Sequence, residues 1–102
     1  MIPLDKVKDL VTKHDSLEKE LSTGSIDPKT FAQKSKEYSD LGNIIIFARE
    51  YLKFDQDQKD LEQILNDKSS DGEMKNLAEK ELEVLKEKKN IIHNKIEGIL
   101  IT

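Results

Sequence analysis

Two histidines are the residues here best suited to acid–base or metal chemistry, and their spacing gives them little support. His14 and His93 stand far apart in the chain. A helical metal site needs a His-x-x-x-His or Glu-x-x-His interval that puts two ligands on one face, and further ligands to complete the shell. His93 has Glu97 four residues on, the interval for a shared ion, but no compact cluster accompanies the pair. The plainer reading is a surface histidine beside a surface glutamate, so no metal is assigned. Carboxylates are abundant, as at Glu79, Glu81, Glu83 and Glu87. General acid–base work needs carboxylates in a dry pocket with separated pKa values, whereas a run like this on a charged helix is a solvated face. Gly24, Gly42, Gly72 and Gly98 are isolated and build no phosphate-cradling loop, and Ser69-Ser70 has no base nearby in sequence. No catalytic or cofactor-binding residue is assigned, no cofactor is expected, and an enzyme is not the expectation.

Binding is the chemistry that remains. The run Asn43-Ile44-Ile45-Ile46-Phe47-Ala48 is apolar around every face of a helix, so some of it points away from any single neighbour. One reading buries the run under another helix. The other exposes Ile44, Ile46 and Phe47 as a partner-binding patch, with Arg49 and Tyr51 beside them as residue types enriched in binding hot spots.

Three helices must carry these residues. The first begins at Pro3, a residue suited to a first turn because its missing N–H would go unpaired there. Val7, Leu10, His14, Leu17 and Leu21 follow at 3-4-3-4 spacing, a heptad seam that stops at Ser22-Thr23-Gly24-Ser25. Asp27-Pro28 restarts a helix as N-cap and first-turn proline. Its apolar residues form two stripes of different phase: Phe31, Ser35, Tyr38, Gly42, Ile45, Ala48, Leu52, and then Phe47, Tyr51, Phe54, Gln58, Leu61, Leu65. The buried face must therefore rotate near residues 44–48, as where a helix leaves one neighbour and meets another. Unbroken to about Asn66, this helix is roughly 57 Å long, too long for a compact globule. Asp67 to Gly72 are turn formers, with Asp71 as the next N-cap and Glu73 adding charge at the positive end of the third helix. Its seam is Ala78, Leu82, Leu85, Lys89, Ile92, Ile96 and Ile99, with Lys89 expected to snorkel at the seam's edge. Asp9→Lys13 and Asp55→Lys59 are oriented i,i+4 pairs worth about 0.2–0.5 kcal/mol each. Short joints predict antiparallel neighbours and an all-α, elongated three-helix bundle or coiled-coil-like arm, with helices at about 3–22, 28–66 and 72–101.

Composition bounds the partners. The chain has 102 residues, 35% hydrophobic and 37% charged, which fits a single small helical domain. A net charge of −4, with Arg49 the only arginine, argues against duplex DNA as partner. There is no cysteine, so disulfides and thiolate metal sites are excluded. The N-terminus turns polar at Asp5-Lys6 without a signal-peptide core. The longest apolar run, residues 44–48, falls far short of the roughly 20 residues of a membrane span. No membrane partner and a cytoplasmic location are the expectations.

Three blocks resemble the N-terminal helical domain of bacterial class-I peptide chain release factors. Phe31-Ala-Gln-Lys-Ser-Lys-Glu-Tyr-Ser-Asp-Leu41 is similar to the family's Phe-x-x-Leu-Ser-(Lys/Arg)-Glu-Tyr-x-x-Leu, with Lys34 in place of its leucine. Glu73-Met-Lys-Asn-Leu-Ala-Glu-Lys-Glu-Leu82 is similar to the opening of its third helix, and Ile99-Leu100-Ile101 to its aliphatic ending. The family commonly opens that helix with Asp-Pro-Glu-Met, where this chain has Asp71-Gly72-Glu73-Met74, so a looser joint is expected. The style is closer to the UAA/UAG-reading type than to its UGA-reading sister. The family's hydrolytic Gly-Gly-Gln and its codon-reading Pro-x-Thr tripeptide are both expected to be absent here and to lie beyond Thr102. The resemblance implies residues 1–102 as a positioning arm in translation termination. Its implied partners are the stalk base of the large ribosomal subunit, the remaining release-factor domains and a recycling GTPase. The heptad seams also fit an alternative, a free-standing coiled-coil adaptor or dimerisation module, which differs in predicting strong association through a seam; self-association of the isolated domain is among the partners considered.

Overall fold

A computed structural model describes residues 2–101, with Ile101 described by its backbone alone; Met1 and Thr102, the bounds of the expected domain, lie outside the described residues. The described residues form three helices, α1 (Leu4–Thr23), α2 (Pro28–Asn66) and α3 (Gly72–Ile101), and no strand. The molecule measures 61 × 27 × 16 Å, its long axis matching the roughly 58 Å of a 39-residue helix. The elongated all-α bundle read from the sequence is the architecture observed.

Each helix starts and stops for a local reason. Pro3 is the cap of α1 and not its first residue: its carbonyl accepts the N–H groups of Lys6 (3.1 Å) and Val7 (3.3 Å), and the helix proper begins at Leu4. Gly24 ends α1 in the left-handed region at φ 70°, a conformation that side chains with a Cβ resist. The Asp27 carboxylate accepts both the N–H (2.9 Å) and the hydroxyl (2.8 Å) of Thr30, capping α2 with Pro28 in the first turn. Asp67 accepts the Ser69 N–H (2.9 Å) and hydroxyl (2.7 Å), and Asp71 accepts the Met74 N–H (2.7 Å) to cap α3. The second joint is thus held by two aspartates, Asp67 and Asp71, both ahead of the glycine that stands where the family has proline.

The spine is α2. Its N-terminal part packs against α1 and its C-terminal part against α3, while α1 and α3 do not run alongside each other. Both joints reverse the chain, so the start of α1 and the end of α3 converge on the middle of α2. There Ile2, Val7, Ile44, Ala48, Tyr51, Ile92 and Ile96 form one buried hub. Val7, Ala48 and Ile96 are completely buried, and the larger hub side chains contribute about 1.5–3 kcal/mol each. The phase change expected at residues 44–48 is this exchange of neighbours. Tyr38 stacks on His14 of α1, whereas Phe47 carries Lys95 of α3 over its ring at 5.3 Å. Where α3 is absent, the phase of Phe47 and Tyr51 is occupied by exposed Gln33, Lys36 and Asp40. Beyond the start of α1, the phase of Tyr38 and Leu52 holds exposed Gln56, Lys59 and Gln63.

One expectation fails inside the seam. Lys89 does not snorkel at an edge but is 7% exposed, its Nζ 3.0 Å from Asp55 Oδ1 and 3.3 Å from Gln58 Oε1, with the Tyr51 ring 5.1 Å away. The acceptors come from α2, so nothing in α3 itself announces them. Lys13 likewise reaches across to Glu37 (3.7 Å) of α2 where the sequence pairs it with Asp9, while Lys59 does meet Asp55 at 3.4 Å.

Candidate contact surface at the waist of α2

The five candidate partner-binding residues occupy two consecutive turns of α2 and therefore point in different directions. Ile44 (2% exposed) and Tyr51 (1%) are hub residues, and the Tyr51 hydroxyl reaches the Ile2 carbonyl at 3.5 Å. Phe47 is half-buried against the hub beneath Lys95. Ile46 stands 63% exposed, and Arg49 is exposed with its Nη2 2.7 Å from Asp15 Oδ1 of α1. What a partner can reach at the waist is Ile46, Arg49 and the open edge of Phe47. Ile44 and Tyr51 hold the backbone that presents them.

A second apolar surface lies on α3. Leu77, Val84 and Ile91 are each more than half exposed at seven-residue spacing, one position ahead of seam residues Ala78, Leu85 and Ile92. That period was present in the sequence but hidden beside the stronger seam. Val84 and Leu85, with Phe54 and Leu61 of α2, floor a groove of about 630 Å3 whose walls carry Lys53, Asp57, Asp60, Lys80, Glu81 and Lys88.

Several titratable groups are engaged in packing and pairing. His14, Asp15 and Glu18 have ligand atoms within 4.8 Å of one another. Asp15 Oδ1, however, already receives His14 Nδ1 at 3.1 Å and the Arg49 guanidinium. The hydrogen bond from His14, helped by the charge and hydrogen bond of Arg49, holds the Asp15 carboxyl below its ordinary value against desolvation. A cation there would have to displace a guanidinium. His93 Nε2 approaches Glu97 Oε1 at 3.3 Å without hydrogen-bonding alignment. It faces a smaller groove, about 410 Å3, that also holds Lys86 and Lys89, two cations unsuited to a metal's neighbourhood. Glu79, Glu81, Glu83 and Glu87 are all exposed. The letters Pro-x-Thr do occur, at Pro28-Lys29-Thr30, contrary to expectation, but this tripeptide is the capped first turn of α2 and both Thr30 donors are held by Asp27.

Comparison with known proteins decides the family. Residues 10–102 match the PCRF domain. The chain belongs to the PCRF domain family. Peptide chain release factor 1 of Pelagibacter ubique is 50% identical over 101 residues, 99% of this chain. The same factor from Rhizobium rhizogenes is 31% identical over 100 residues (98% of this chain), and that from Helicobacter pylori 32% over 99 residues (95%). This PCRF domain spans 28%, 28% and 27% of those relatives' lengths. No solved structure matches it. The resemblance to class-I release factors read from three short blocks is borne out over nearly the whole domain. The match to release factors does not favour the free-standing adaptor alternative, and the seams of α1 and α3 that suggested it pack on α2 within the chain. No helix among the described residues is long and apolar enough to cross a membrane.

Proposed function

We propose that this PCRF domain is the N-terminal helical arm of a peptide chain release factor acting in translation termination on the ribosome. The observation that carries this reading is the 50% identity to peptide chain release factor 1 across 99% of the chain. The geometry supports a positioning role: an elongated three-helix lever, without Gly-Gly-Gln, in which Asp27, Lys89 and Arg49 are engaged in a cap, a seam and a cross-helix pair. In this reading the arm reaches the stalk base of the large subunit, places the hydrolytic and codon-reading domains of the same factor, and meets the recycling GTPase through its exposed surface. Ile46, Phe47 and Arg49 are the contact residues proposed at the waist, with Ile44 and Tyr51 beneath them.

A domain exchange tests it. The matching segment of the Pelagibacter ubique factor is replaced by this chain, and stop-codon-dependent peptide release is measured on ribosomes. A lever changes substrate engagement and leaves the chemical step alone, so kcat is expected within about threefold of the parent and any loss to appear in KM. A folded chimera with kcat abolished would contradict the reading.

A further inference from the structure

We propose that Gly42 is a built-in bending point at which the α1/α2 arm flexes against the hub. Gly42 lies in the interior of α2, where a glycine makes local helix opening roughly fivefold easier than an alanine would. Packing does not call for it: a Cβ placed there would meet no atom within 4 Å, and the backbone is not in the left-handed region. What the residue supplies is backbone freedom, and it supplies it one half-turn before Ile44, the first α2 residue of the hub.

The surroundings fit a bend at that height. Lys95 over the Phe47 ring fixes the antiparallel register of α3, and three residues further along α3 Gly98 comes level with residue 44. A Cβ at Gly98 would also meet nothing within 4 Å. Among the described residues, the helix packed on the N-terminal part of α2 is α1. The contacts of α1 straddle the same height. Lys13–Glu37 (3.7 Å) and the His14–Tyr38 stack (4.8 Å between centroids) lie on the tip side, and Asp15, next to His14, reaches Arg49 on the hub side (2.7 Å). Asp15–Arg49 is therefore a latch across the bend. Its side chains are 50% and 51% exposed, so it opens at little cost. The arm from Pro28 to Gly42 is about 21 Å long, and a bend of about 20° moves its tip by about 7 Å. This property belongs to the fold and holds whatever the arm contacts.

Residue-resolved amide exchange of the 102-residue chain tests it. Simple fraying makes exchange rise smoothly from hub to tip. A bend gives a local maximum at amides 43–46, whose hydrogen bonds run back to carbonyls 39–42. Gly42→Ala, which has room for its methyl, is expected to remove that maximum by slowing those amides about fivefold, with amides 54–62 changed less than about twofold. Arg49→Gln is expected to speed amides 43–46. A smooth gradient in the parent chain, or a uniform slowing of all of α2 by Gly42→Ala, would overturn the bending point. An unchanged rate in Arg49→Gln would overturn the latch.

Discussion

Lys89 Nζ lies 3.0 Å from Asp55 Oδ1 in a seam whose other α3 members are alanine, leucine and isoleucine. The two side chains are 9% and 18% exposed, so neither charge is well hydrated, and Gln58 completes the lysine's surroundings. Their loss is expected to be asymmetric. Asp55→Ala strands a buried ammonium and is expected to cost about 3 kcal/mol, whereas Lys89→Met keeps the packed stem and leaves Asp55 its second partner Lys59, costing about 1 kcal/mol. Urea denaturation of both variants checks this. Equal losses would show that the cation is hydrated and the seam unexacting.

The same pair gives the arm an acid limb. Desolvation pushes the Asp55 carboxyl up, but the hydrogen bond and charge of Lys89, helped by Lys59, outweigh it and hold the group below its ordinary value of 3.8. A depressed folded-state pKa stabilises the fold above the unfolded value and is lost as pH falls through the folded one. Asp27 and Asp67, bonded to Thr30 and Ser69 respectively, shift in the same direction. Stability is therefore expected to fall below about pH 4, and Asp55→Asn to lose stability at pH 7 while flattening the acid slope. Denaturation at pH 7, 4 and 3 reads both. An acid slope unchanged in Asp55→Asn would remove Asp55 from the account.

Ile44 and Ile46 are two residues apart and opposite in consequence. Ile44→Asp puts a charge into the hub beside Ile92 and Ile96 and is expected to unfold the arm. Ile46→Asp is expected to leave the midpoint within about 0.5 kcal/mol, because the residue is 63% exposed. If the waist contacts the ribosome, Ile46→Asp in the chimera raises KM without changing thermal stability. Circular dichroism melts and release kinetics separate the two.

Much of this architecture was legible because helices announce themselves locally. Asp27-Pro28, Gly24 and Asp71 are caps whose chemistry acts within three residues, and the α3 seam from Ala78 to Ile99 is buried or half-buried throughout. The phase change in α2 was legible too, since each neighbour requires its own stripe. Lys89 was misplaced because its acceptors Asp55 and Gln58 are distant in sequence. The waist was ambiguous for a different reason. An unbroken apolar run covers every direction, so periodicity cannot separate Ile44 from Ile46; only the positions of α1 and α3 do. The α3 stripe Leu77, Val84, Ile91 shares its period with the seam, and a single-sequence reading assigns that period once.

The central claim is that this chain is a positioning arm with no bond-breaking role. Its most direct test is stop-codon-dependent peptidyl-tRNA hydrolysis by the purified 102-residue chain on programmed ribosomes, with ribosome binding followed in the same samples. The account predicts ribosome binding without release and without codon dependence. Codon-dependent release by the chain alone would contradict it, and so would a folded chain that shows no affinity for ribosomes.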